Sequence, residues 1–221
     1  MATAGGPNII EDGLVLYLDA ANTKSYSGTG TAWNDLSGNG NSGTLINGPT
    51  FNSDNNGSIV FDGVNDYVNC GNSVVLNVNQ FTANFWVYFN VSATKEILIK
   101  NNNTNNGIGP FEIYQAGTKI AHRINGSGVT GVTSLVINTW NMVTLTYNQV
   151  HKILYLNTVQ ENLTPYTTTL SISTGNLTLG AYGNANYPLN GKVAQLTLYN
   201  RALSAAEVLQ NYNATKSRFN L

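Results

Sequence analysis

At 221 residues, 42% of them hydrophobic, the chain is long enough to bury a substantial core as one domain. Only 10% of its residues are charged, against about 25% in ordinary domains, so asparagine, threonine, serine and glycine carry its solubility. A net charge of −1 without any Lys/Arg cluster argues against a nucleic-acid partner, no apolar run reaches membrane-span length, and the lone Cys70 excludes an intrachain disulfide.

Residues 1–12 show no periodic pattern and are expected to form an arm without basic or apolar leader character. A strand follows over 13–19, with Leu14, Leu16 and Leu18 on one face and Val15 and Tyr17 on the other. Residues 20–47 read as a long loop that holds Trp33. The stretch 57–69 reads as a short strand with Ile59 and Phe61, a turn at Asp62 and Gly63, and a second strand with Tyr67 and Val68. Residues 80–90 alternate cleanly: Phe81, Ala83, Phe85, Val87 and Phe89 share one face, Trp86 and Tyr88 the other. Those two rings either line an aromatic surface or pack between sheets, and packing is the expectation.

Further strands are expected over 96–100, 110–115, 118–124, 139–147, 151–157, 170–173, 176–180 and 192–199, with the asparagine-rich run 101–107 as an exposed tip. Ser204 and Glu207 form a capping box, which predicts a helix to about residue 212 that turns Val208, Leu209 and Tyr212 inward. Residues 214–221 are expected to be a tail. Strands at this spacing, separated by turn signals, predict an antiparallel β-sandwich.

Catalysis has little to stand on. The eleven acidic residues are scattered: Glu96 and Glu112 stand alone, Glu161 is near a turn and Glu207 belongs to the helix cap. His122 and His151 are isolated, and no strand carries the paired carboxylates that glycoside hydrolysis needs. No enzyme is expected, and a glycan hydrolase is the remote alternative. Asp35, Asn39, Asp62 and Asp66 supply the oxygens a calcium ion wants, Asp35 and Asp66 being the preferred ligands; the competing reading is that these side chains cap their own turns. For a sugar, the candidate loops are 101–107, 125–131 and 182–187, the last offering Tyr182 and Tyr187 beside Asn184 and Asn186. Solvated tips are the alternative. Uncharged polar faces also suit self-association, with the two termini docking on a neighbouring copy or hanging free.

Several motifs occur in a telling order: Gly-Leu-Val-Leu-Tyr-Leu-Asp over 13–19, Trp-Asn-Asp-Leu-Ser-Gly-Asn-Gly-Asn-Ser-Gly-Thr over 33–44, Val-Phe-Asp-Gly-Val-Asn-Asp-Tyr-Val over 60–68, and Gly-Lys-Val-Ala-Gln-Leu-Thr-Leu-Tyr-Asn-Arg-Ala-Leu-Ser over 191–204 with Glu207 behind it. Together they resemble the laminin-G-like, concanavalin-A-like jelly-roll domains across residues 13–213. The resemblance implies an all-β jelly-roll sandwich with one short C-terminal helix, and relatives often hold calcium at a loop rim. This version also resembles stand-alone copies among tailed-phage structural proteins. That implies a non-enzymatic protein on the virion surface, as a capsid decoration, fibre or tail component. Its partners are then other virion proteins or copies of itself, with host-surface glycan as a further one. The alternative is a calcium-assisted carbohydrate-binding module of a secreted or cell-surface protein.

Overall fold

The computed structural model describes residues 7–100, 109–183 and 185–221. The expected tip at 101–107, the first six residues of the expected arm and Asn184 therefore lie outside the described residues. In chain order the strands are β1 (Leu14–Asp19), β2 (Ala32–Trp33), β3 (Gly43–Ile46), β4 (Thr50–Asn52), β5 (Ser58–Asp62) and β6 (Tyr67–Asn69). There follow β7 (Phe81–Phe89), β8 (Lys95–Lys100), β9 (Phe111–Ala116), β10 (Lys119–Ile124) and β11 (Ser127–Thr130). The last are β12 (Trp140–Tyr147), β13 (His151–Leu156), β14 (Val159–Pro165), β15 (Leu177–Leu179) and β16 (Asn190–Tyr199), before helix α1 (Ala205–Thr215).

These strands form two antiparallel eight-stranded sheets among the described residues. The first runs β14-β13-β12-β7-β16-β5-β4, with β1 also on β16; the second runs β11-β10-β9-β8-β15-β6-β3-β2. The alternation of β7 decides the packing. Phe81, Ala83, Phe85, Val87 and Phe89 all face the space between the sheets, where they meet Leu98, Phe111, Ile113, Leu177 and Leu179 of the second sheet. Phe81 and Phe111 stack across that space with ring centroids 4.4 Å apart. The sandwich expected from the sequence is the fold observed.

Trp86 packs elsewhere than expected. It lies on the outer face of the first sheet, in a second apolar cluster with Met142, Tyr155, Tyr199, Val208 and Phe219. Its indole N–H donates to Thr215 Oγ1 at 2.8 Å, and the Phe219 ring sits 4.3 Å from its own. The C-terminal residues are therefore no tail: α1 extends to Thr215, a 3₁₀ turn over Lys216–Phe219 follows, and Arg218 pairs with Asp19 at 2.9 Å. The capping box forms as expected, but Leu209 is 46% exposed, and it is Asn211 that turns inward, donating to the Tyr199 hydroxyl at 3.0 Å. The described part of the arm is tied down too. Ile10 N–H donates to Asn211 Oδ1 at 2.8 Å, and the Tyr199 hydroxyl to Ile10 O at 3.0 Å.

Three more differences have local causes. The expected loop over 20–47 contains β2 and β3, a short pair closing the edge of the second sheet. Residues 125–131 are largely β11, entered through an Asn125-Gly126 turn with both φ positive, at 46° and 79°; that dipeptide suits the tight hairpin turn that matches strand twist. The expected strand 170–173 does not form, because Leu170 anchors in the core while the Ser171 N–H donates to the Asn125 side chain at 3.0 Å instead of to a neighbouring strand.

Candidate functional site

β15 ends at Leu179 in the second sheet, and the chain passes from there to β16 in the first. Gly180 makes this possible. Its φ is 93°, and a Cβ there would stand 2.5 Å from the Phe61 ring, so only glycine fits. The loop beyond it closes on itself: Leu189 N–H donates to Gly180 O at 2.6 Å, Tyr182 N–H to Asn186 O at 3.2 Å and Ala185 N–H to Tyr182 O at 2.7 Å. Ala185 and Tyr187 both hold left-handed backbone, at φ 62° and 52°. A bulky residue rarely adopts that conformation.

Strand alternation turns Phe111 and Ile113 of β9 into the core and leaves Glu112 and Tyr114 beneath this loop. The antiparallel register sets Arg123 of β10 opposite Glu112 and Glu96 of β8 opposite Tyr114. Arg123 Nη1 pairs with Glu112 Oε1, and its guanidinium lies 4.6 Å from the centre of the Tyr114 ring. The Tyr182 hydroxyl donates to Glu112 Oε2 at 2.9 Å, so both oxygens of that buried carboxylate are engaged. Glu96 donates its backbone N–H to Tyr187 O at 2.8 Å, but its Oε2 is buried without a partner. Burial first, then the Glu112 charge, hold the Glu96 carboxyl well above the usual carboxylate range, with Arg123 opposing. Burial and the same two carboxyls also raise the Tyr182 phenol.

Of the expected sugar-binding side chains, Tyr182 and Tyr187 come together, their rings 6.0 Å apart and tilted by 56°. Their exposures differ. Tyr182 is 4% exposed and forms part of the foundation, whereas Tyr187 is 52% exposed and presents its ring to solvent. Asn186 accepts the Tyr182 amide through its backbone. Glu96 and Glu112, which look solitary in the sequence, meet here with Arg123 and Tyr114. The signal that finds them is the hairpin register across β8, β9 and β10, not any spacing along the chain.

The expected calcium ligands fall into two places, at opposite ends of β6. Asp35 accepts from Tyr17 N–H, Ser37 N–H and Asn41 N–H, each at 2.9 Å, and from the Ser37 hydroxyl at 2.8 Å. Asn39 donates to Leu14 O at 3.2 Å. Asp62 takes the Val64 N–H at 2.8 Å, and Asp66 takes the Asp62 N–H at 3.1 Å. Burial raises the Asp66 carboxyl, and the Asp62 charge adds to it. Each of the three aspartates thus caps its own turn, and no group of three or more His, Cys, Asp or Glu side chains among the described residues is arranged to hold a metal. A hollow of about 360 Å³ beside the Asp35 loop is walled by Asn41, Ser42, Thr44, Asn69 and Asn72. Cys70 borders it, its thiol pushed up to about 12 by burial and by the Asp35 charge.

Residues 62–209, more than half of the chain, match the family model described as the concanavalin A-like lectin/glucanases superfamily. The chain belongs to this superfamily. Solved structures with this fold include the binding domain of Paraclostridial mosquitocidal protein 1, at 21% identity and TM-score 0.72 over 92% of this chain and 52% of that one. A botulinum neurotoxin type C structure, described with two ganglioside molecules, gives 16% identity and TM-score 0.70 over 93% of this chain and 52% of that one. This superfamily member thus spans about half the length of those toxin domains. Domain 4 of AbnA, a GH43 extracellular arabinanase from Geobacillus stearothermophilus in complex with arabinotriose, matches at 16% identity and TM-score 0.68 over 90% of this chain and 98% of its own. No curated protein sequence matches the chain. No helix among the described residues is long and apolar enough to cross a membrane.

Proposed function

We propose that the protein is a non-enzymatic carbohydrate-binding module whose platform is the Tyr187 ring. One observation carries this: a half-exposed aromatic side chain, held in left-handed backbone on a self-closed loop, above a packed polar foundation. Binding sites combine apolar surface with a few placed polar groups, and an aromatic ring offers a flat face at small entropic cost. The foundation does not serve hydrolysis, because Glu112 is buried and both its oxygens are engaged, one by Arg123 and one by Tyr182. Relatives in this fold are described with arabinotriose and with gangliosides, which supports a glycan as the ligand class.

Screening on immobilised neutral and sialylated oligosaccharides tests this reading. We expect wild-type protein to retain a subset and Tyr187→Ala to bind it at least about tenfold more weakly, the worth of one aromatic contact. Equal binding by both proteins contradicts the platform.

Display on the surface of a virus particle is the setting we propose, on the sequence resemblance and the sparse charge. Mass spectrometry of purified particles tests it, and absence of the protein from them refutes it. Calcium assistance stays a proposal centred on Asp66, whose Oδ1 is buried without a partner beside Asp62. A rise in melting temperature on adding calcium supports it, and an unchanged one removes it.

A further inference from the structure

The loop that carries Tyr187 is seated on a residue whose buried carboxyl group has one oxygen without a partner. Glu96 is 3% exposed, and its backbone N–H holds Tyr187 O at 2.8 Å, which makes it the seat of the loop. Its Oε2 has no partner. The titratable groups around it are Glu112 and Tyr114 from β9, Arg123 from β10 and Tyr182 from the loop itself. Arg123 is the only cation in this group, and it is already paired with Glu112, whose other oxygen takes the Tyr182 hydroxyl. A neutral Glu96 fits this dry space. An ionised one places a second negative charge beside Glu112, with no donor on its Oε2 and with the nearby Arg123 already paired to Glu112, and such a charge is tolerated only if water is let in. The loop residues Tyr182 and Tyr187 are fastened here by the Tyr182 hydroxyl and by the Glu96 amide.

We propose that Glu96 is a proton-operated latch on the ligand platform: the Tyr187 loop stays seated while the carboxyl keeps its proton and lifts off the sheet when the proton leaves. The effect on ligand rests on the glycan reading of Tyr187; the latch itself does not. Because desolvation and Glu112 both favour the protonated form, release occurs on the alkaline side of the ordinary carboxylate range. The platform is therefore held at lower pH and lost as pH rises.

Amide hydrogen exchange on the ligand-free chain reads the latch directly. Wild type and Glu96→Gln are compared at each pH, so that the intrinsic pH dependence of exchange cancels. We expect protection of the Glu96 amide and of residues 182–187 to fall with rising pH in wild type, by up to about tenfold per pH unit beyond the ionisation. Protection in Glu96→Gln, uncharged throughout, stays level, and Glu96→Met gives the same level profile if the carboxamide cannot be seated. Matching profiles in wild type and the uncharged variants overturn the latch. Titration with arabinotriose across the same pH series separates the two readings. Affinity that falls with pH in wild type and holds in Glu96→Gln supports both, whereas a pH-dependent exchange profile without sugar binding at any pH upholds the latch and overturns the use of arabinotriose as ligand.

Discussion

Tyr182 and Glu112 show how one hydroxyl decides a buried site. Replacing Tyr182 with Phe keeps the ring against Tyr187 but leaves Glu112 Oε2 without its donor in a place water does not reach. Such an orphaned acceptor costs about 1–3 kcal/mol, so the urea midpoint of Tyr182→Phe is expected to drop correspondingly; an unchanged midpoint contradicts the contact. Glu96 acts with the opposite sign. Its folded-state ionisation lies above that of the unfolded chain, so the native protein keeps a proton that the unfolded chain has released. Stability therefore falls as pH rises from the ordinary glutamate value toward the folded one. Melting temperatures of wild type and Glu96→Gln should diverge with rising pH, wild type falling behind, and parallel curves refute the burial of an unpaired carboxyl. None of this is visible along the sequence. Glu96, Glu112 and Arg123 sit on three different strands, and only their register makes them neighbours. Tyr182 and Tyr187, by contrast, are legible, because a glycine- and asparagine-rich loop with two tyrosines is a local feature.

At the scale of elements, the C-terminal helix divides into what local chemistry announces and what packing adds. Ser204 and Glu207 reveal the helix start because the capping box spans four consecutive residues. Ser204→Ala is expected to cost about 1 kcal/mol in chemical denaturation. The Glu207 carboxyl is lowered to about 2 by its hydrogen bond to Arg201 and by the Ser204 amide. Its contribution is thus fully present above the ordinary glutamate value and lost as pH falls toward about 2, though solvent at this partly exposed pair weakens it. The helix end is a different matter. Phe219 is 6% exposed against Trp86 and Trp140, a contact between residues far apart in sequence that no periodicity encodes. Phe219→Ala should cost about 3 kcal/mol, a loss that a free tail would not show. The Gly180 turn is equally specific: Gly180→Ala sets a Cβ against Phe61 and is expected to destabilise the protein and unseat the loop after it.

Over the whole molecule, the sandwich is written in alternation. The phenylalanines of β7 face a core closed by the second sheet, and the same alternation that buries Phe111 and Ile113 leaves Glu112 and Tyr114 on the outer side. The strands longest in the sequence pattern, β7, β12 and β16, form the centre of the first sheet. The short ones, β2, β3 and β4, escape notice because two to four residues are too few to show a period. What the fold adds is a surface: a self-closed loop over the outer face of the second sheet, presenting Tyr187. An NMR titration of the protein with arabinotriose and with a sialylated oligosaccharide tests that surface most directly. We expect shifts from one of them concentrated at residues 181–187 and at the amides of Glu96 and Glu112, and lost in Tyr187→Ala. Shifts centred instead on the hollow of Asn41, Asn69 and Asn72, or no shifts from either sugar, contradict the assignment of Tyr187 as the binding platform.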